Sequence, residues 1–204
     1  MSTWLLVGVL AVWLALGGTG VRAQAPADDA RGGALRKVLD NAHAQVGVTV
    51  TYDPAYVDLK YPGGDVPADR GVCTDVVIRA FRAVGTDLQQ AVHEDMKAHF
   101  SAYPRQWGLS RTDANIDHRR VPNLMTFFAR RGKGLPVTAS AADYQPGDVV
   151  TWILPGNLPH IGLVVNETAP GDPTRHLVIH NIGAGARMED VLFAFKQTGH
   201  YRPL

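Results

Sequence analysis

The chain has 204 residues, 46% hydrophobic and 19% charged, with 20 basic against 19 acidic side chains. That is the composition of one ordinary globular domain, and its near-neutrality leaves no electrostatic footprint for nucleic acid or an anionic membrane surface. Its single cysteine, Cys73, excludes an intramolecular disulfide.

The first segment is a targeting signal in pattern. Trp4 to Leu16 is almost wholly apolar, Gly17, Gly18 and Gly20 interrupt it, and Val21-Arg22-Ala23 supplies the small residues of a cleavage site. Residues 1–23 therefore read as a signal peptide and 24–204 as the mature domain, which is expected to be exported to the periplasm or secreted. The apolar run falls short of the roughly 20 residues that span a bilayer, so no stable membrane insertion is expected once the signal is removed.

Ala27 to Gly33 reads as a flexible start. Leu35, Val38, Leu39 and Ala42 then recur at helical spacing, and Gly47 closes that helix. Val48 to Tyr52 alternates like a short strand, and Tyr61 to Pro67 reads as an irregular loop. Val76, Val77, Ala80, Phe81 and Val84 form the apolar stripe of a helix that begins near Cys73 and ends at Gly85. Thr86-Asp87-Leu88-Gln89 is a capping box opening another helix through about Ala102. Pro122 suits the first turn of a short helix carrying Leu124, Phe127 and Phe128. Beyond Gly147 the pattern changes to strands at 149–154, 161–165 and 177–180, with a possible fourth at 199–202. Helices first and an antiparallel meander second predict one α+β domain, with helices packed on an antiparallel sheet or partial barrel.

Three features of this layout carry chemistry. Cys73 begins a helix, where free backbone N–H groups and the helix dipole favour a thiolate, so a pKa below the ordinary cysteine value is expected. His160 opens a strand just after Pro159. If the hairpin turns about the loop 166–175, partners across it have numbers summing to about 341, which sets His160 opposite His180 or Asn181. A nucleophile needs a base and the base needs an orienting partner, and these residues supply all three. The run Asp117-His118-Arg119-Arg120 before the Pro122 helix is read either as a solvated turn or as a loop whose arginines hold a substrate carboxylate. Asp75 is expected to point away from Cys73 and to anchor the preceding loop, for which Arg70 is a candidate partner. His43, His93, His99, His176 and His200 read as surface or packing residues.

The order of a helix-start Cys, a Gly-Asp-Val-Val-Thr-Trp strand, a His-Ile-Gly-Leu-Val strand and Val-Ile-His resembles the NlpC-type cell-wall peptidases of the papain-like superfamily. The resemblance implies Cys73 as nucleophile, His160 as base and His180 as its orienter. It also implies a substrate-site role for Tyr61, with no cofactor and no metal. The chain is still more similar to a bacterial family of unknown function numbered 1287, on Tyr61–Pro67, Gly71–Val77, Asn115–Leu124 and Leu158–Gly162. NlpC-type enzymes read Asp-Cys-Ser-Gly at the nucleophile, and this chain reads Val72-Cys73-Thr74-Asp75, which removes the acidic residue that precedes the cysteine. The expectation is a monomeric cysteine peptidase or amidase acting on a cell-wall peptide, with Tyr61, Asp75, Arg119 and Arg120 at the substrate. The competing expectations are a zinc hydrolase built on His160, His180 and Asp117 or His118, and a catalytically silent envelope-binding domain.

Overall fold

The computed structural model describes Met1, residues 25–106 and residues 108–204, so the expected signal segment lies outside the described residues apart from Met1. Helix α1 (Ala25–Gln45) leads to a short parallel pair, β1 (Thr51–Tyr52) with β2 (Arg70–Gly71). Helices α2 (Cys73–Arg82), α3 (Leu88–Ala98) and α4 (Val121–Arg130) follow. Strands β3 (Gly134–Leu135), β4 (Val149–Leu154), β5 (Leu158–Ala169), β6 (Asp172–Asn181), β7 (Ala186–Glu189) and β8 (Lys196–Tyr201) form one antiparallel sheet, in the order β3-β8-β4-β5-β6-β7. The sheet is open and does not close into a barrel, and the class is α+β. Among the described residues no helix is long and apolar enough to cross a membrane.

The sheet separates two apolar clusters. On one face Ile161, Leu163, Val165 and Ile179 pack against Val38, Val76, Val77, Phe81, Leu124 and Phe128 of the helices. On the other, Val150, Trp152, Val164 and Val178 pack against Tyr144 and Leu192 from the connecting loops. Side chains alternate along a strand, so up to Val165 the odd-numbered residues of β5 face the helices and the even-numbered ones, including His160 and Gly162, face the Trp152 side.

Helix α2 is buried at every position from Cys73 to Phe81, because it lies between α1, α3 and the sheet. Its start is fixed by Asp75, whose Oδ2 accepts the Val72 N–H at 2.7 Å. Gly71 makes that possible, since a Cβ there would stand 2.9 Å from the same oxygen. Arg79, on the same helix, donates to Asp65, Thr49 and the carbonyls of Val66, Pro67 and Arg70. One buried guanidinium thus holds the loop that delivers the chain to Cys73.

Several expectations need correction. Residues 27–33 continue α1 instead of forming a flexible start. The cap of α3 is Asp87, which accepts the Gln89 N–H, not Thr86; the Gln89 side chain turns inward to the Gly64 N–H and the Lys60 and Ala114 carbonyls. The β5–β6 turn is centred where expected, with Ala169 opposite Asp172, but two irregularities shift the ladder beyond it. Gly162, not His160, therefore stands opposite His180, and the partner numbers there sum to 342. Strand β7 was not anticipated.

Candidate active site

Cys73 is the first residue of α2 and is 4% exposed. It lines a cleft of about 180 Å³ together with Tyr52, Pro54, Arg120, Pro122 and Pro159. The backbone N–H groups of Ile161, Thr74 and Cys73 itself point at its sulfur and favour the thiolate. Burial outweighs them. With Asp75 adding to the effect, the thiol is pushed up to about 12 instead of down as the helix position suggested. The N-terminal dipole lowers a cysteine only where the thiolate keeps some solvation, and this one loses it.

The imidazoles lie on the next strand positions. His160 Nε2 is 2.8 Å from His180 Nδ1, and His180 Nε2 is 2.9 Å from Glu189 Oε2. The two histidines are diagonal, not directly opposite, and rings span that diagonal readily. Gly162, between them, leaves the room; a Cβ on it would meet Val178 Cγ1 at 2.6 Å and His180 Cβ at 3.1 Å. Trp152 covers His160 with ring centroids 5.8 Å apart. Burial drives His160 down to about 3, with His180 adding to it. Burial also lowers His180, against the opposing pull of Glu189.

Asn181, the alternative orienter, faces away from this pair and donates to the Gly71 carbonyl at 3.0 Å, so it positions the approach to Cys73. The thiol meets β5 at the peptide N–H of Ile161, on the helix side, while the His160 side chain leaves the strand toward Trp152. Cys73 thus lies against the strand residue next to His160, with the two side chains on opposite faces of β5. The thiol–imidazole hydrogen bond of a working pair is not among the hydrogen bonds of the described residues.

The expected substrate residues divide. Tyr61 is not part of the cleft; it packs edge-on against His93 with centroids 5.2 Å apart. The cleft tyrosine is Tyr52, whose hydroxyl is pushed up to about 12 by burial and then by Cys73 and Asp75. Arg119 borders the cleft, but its guanidinium is turned inward to Asp75 and to the carbonyls of Asp53 and Ala55. The expectation that it holds a substrate carboxylate is corrected accordingly, and so is the partner of Asp75, which is Arg119 and not Arg70. Arg120 lines the cleft. Asp117 is tied to His93 Nδ1 at 3.0 Å and to the Asp113 N–H, and His118 is buried beside it with its pKa driven down to about 4. Among the described residues no three His, Cys, Asp or Glu side chains are grouped to hold a metal ion. Sequence reasoning missed Glu189 and Tyr52. The Gly183-Ala184-Gly185 turn after β6 was a usable signal for the hairpin that brings Glu189 back.

Fold and site together define an α+β protein with a buried free thiol opening its central helix beside a buried histidine pair. The chain belongs to the domain of unknown function family DUF1287, whose model matches residues 39–203. It is also 57% identical, over 166 residues, to the uncharacterized protein YijF of Escherichia coli (strain K12), covering 81% of this chain and 80% of that one.

Proposed function

We propose that the protein is an exported, NlpC-like cysteine hydrolase that cleaves an amide bond, with the peptide stems of peptidoglycan as its substrate class. Cys73 is the nucleophile, His160 the base and His180 the group that orients the base. The observation that carries this is the seating of Cys73 in a cleft, its thiolate favoured by the backbone N–H groups of Ile161, Thr74 and Cys73 itself, against the strand residue that follows His160, whose Nε2 is already held by a second histidine.

A thiol near pKa 12 would need roughly 7 kcal/mol to preform its anion at pH 7, at about 1.4 kcal/mol per unit. Attack therefore couples to proton transfer. As the sulfur bonds to the carbonyl carbon, its proton passes to Nδ1 of His160. His160 then returns the proton to the leaving nitrogen as the C–N bond breaks. Water, deprotonated by the same imidazole, hydrolyses the thioester and regenerates the thiol. The Sγ to Nδ1 contact, which is not among the hydrogen bonds of the described residues, must form when substrate fills the cleft, as catalytic hydrogen bonds can.

The test is labelling of the folded protein with iodoacetamide, read by intact mass. Wild type should be modified at Cys73, and His160→Ala should slow labelling at least about a hundredfold, the lower end of what a general base contributes. Labelling only after denaturation, or at an unchanged rate in His160→Ala, would leave Cys73 a buried packing residue and favour a catalytically silent domain. Loss of activity on chelation with unimpaired Cys73→Ser would instead favour zinc.

A further inference from the structure

The histidine pair ends on a group outside the expected triad. Glu189 on β7 is 37% exposed, whereas His160 and His180 are at most 3% exposed. An ionised carboxylate can only accept hydrogen bonds. The ring nitrogen facing it, Nε2 of His180 at 2.9 Å, must then carry its hydrogen. In a neutral ring that leaves the lone pair on His180 Nδ1, which faces His160 Nε2 at 2.8 Å. The hydrogen of His160 is thereby placed on Nε2, and its Nδ1 is left bare. The opposite pattern would set a lone pair of His180 against the carboxylate.

We infer that Glu189 is a positioning residue that fixes the tautomers of His180 and His160, so that His160 presents an unprotonated Nδ1 to accept the thiol proton. The catalytic part of this rests on the Cys73 hydrolase proposal; the tautomer part does not. Burial holds His180 below the ordinary histidine pKa despite the pull of Glu189, which keeps the ring neutral as the relay requires. The charged or titratable groups around it are His160 from β5 and, from β7, Glu189 with Arg187 at the cross-strand position.

Two measurements on the same variants test this. Long-range ¹⁵N–¹H correlation of the histidine rings at pH 7 reads the tautomers, and iodoacetamide labelling reads the thiol. Wild type should show both rings as the Nε2–H form. Glu189→Ala should mix the tautomers of both rings and slow Cys73 labelling by about tenfold, the low end for loss of an orienting partner. Glu189→Gln keeps an acceptor oxygen and should restore the tautomers and most of the labelling rate. Unchanged ring spectra in Glu189→Ala, or Nδ1–H on His160 in wild type, would overturn the inference. Shifted tautomers with unchanged labelling would overturn the catalytic role alone, and would count against the hydrolase proposal while leaving the relay in place.

Discussion

Arg119→Ala is expected to cost stability, not substrate affinity alone. The Arg119 and Asp75 side chains are 2% and 4% exposed. The guanidinium donates from Nε to Oδ1 at 3.1 Å, from Nη2 to Oδ2 at 3.0 Å, and to the Ala55 and Asp53 carbonyls at 3.1 and 3.2 Å. Removing it leaves a buried carboxylate with the Val72 N–H as its remaining hydrogen-bond partner, and it frees the segment that carries Tyr52 over the cleft. Breaking one side of a buried pair costs about 3–5 kcal/mol. At about 2–4 °C per kcal/mol for a chain this size, Tm should fall by roughly 6–20 °C in scanning calorimetry at pH 7. Removing both partners, Asp75→Leu with Arg119→Met, should recover much of that loss, because no charge is then left buried alone. A Tm within about 2 °C of wild type, with a raised KM for a stem peptide, would show that the guanidinium is available to substrate and that the inward pairing is wrongly weighted.

Gly162→Ala should displace His180, since the added methyl meets Val178 and the His180 Cβ within 3.1 Å; about 1–3 kcal/mol of stability and much of the Cys73 labelling rate should be lost together, and retention of both would refute the close packing. Acid should destabilise the fold before the carboxylates titrate. His118 and His160 have folded pKa values driven down to about 4 and about 3 by burial, so the unfolded chain takes up protons first as pH falls below about 6.5. Stability is then complete above that pH and lost progressively below it. The shift of His118, from burial first and then from Arg82 and Arg119, costs roughly 3 kcal/mol of stability by pH 4, at about 1.4 kcal/mol per unit. Urea denaturation between pH 7 and 4 measures this, His118→Gln should flatten the profile, and a profile already flat in wild type would contradict it.

Much of the architecture was legible because it is written in periodicity. The stripe Val76, Val77, Ala80, Phe81 placed α2 to within a turn, and the apolar runs at 149–154 and 161–165, bounded by turn residues, placed β4 and the middle of β5. The start of α1 was not legible, since Gly32 and Gly33 each cost about 1 kcal/mol against Ala in a helix, and the packing of Val38, Leu39 and Ala42 carries the helix through them. Register was the other failure. The turn was centred correctly, but irregularities between Val164, Thr168 and Ala169 are long-range ladder features with no local sequence signature. His160 and His180 still meet because a displaced register leaves both on one face, and a ring reaches the diagonal. The Asp75–Arg119 pair joins residues 44 apart; nothing in the local pattern of either predicts it. Val72 in place of an acid before Cys73 was legible, and so was the inward role of Asp75, though not its partner.

The central claim is that Cys73 cleaves an amide bond, and liquid chromatography with mass spectrometry of purified peptidoglycan fragments tests it most directly. The fragments are incubated at pH 7 with wild type and with Cys73→Ser, the serine keeping the size of the side chain. Wild type should produce shorter stems, with one new amine and one new carboxylate per cut, and the Cys73→Ser digest should match the buffer control. An unchanged fragment profile with the folded wild-type protein, or the same cuts by Cys73→Ser, would contradict the assignment of Cys73 as the nucleophile of a cell-wall hydrolase.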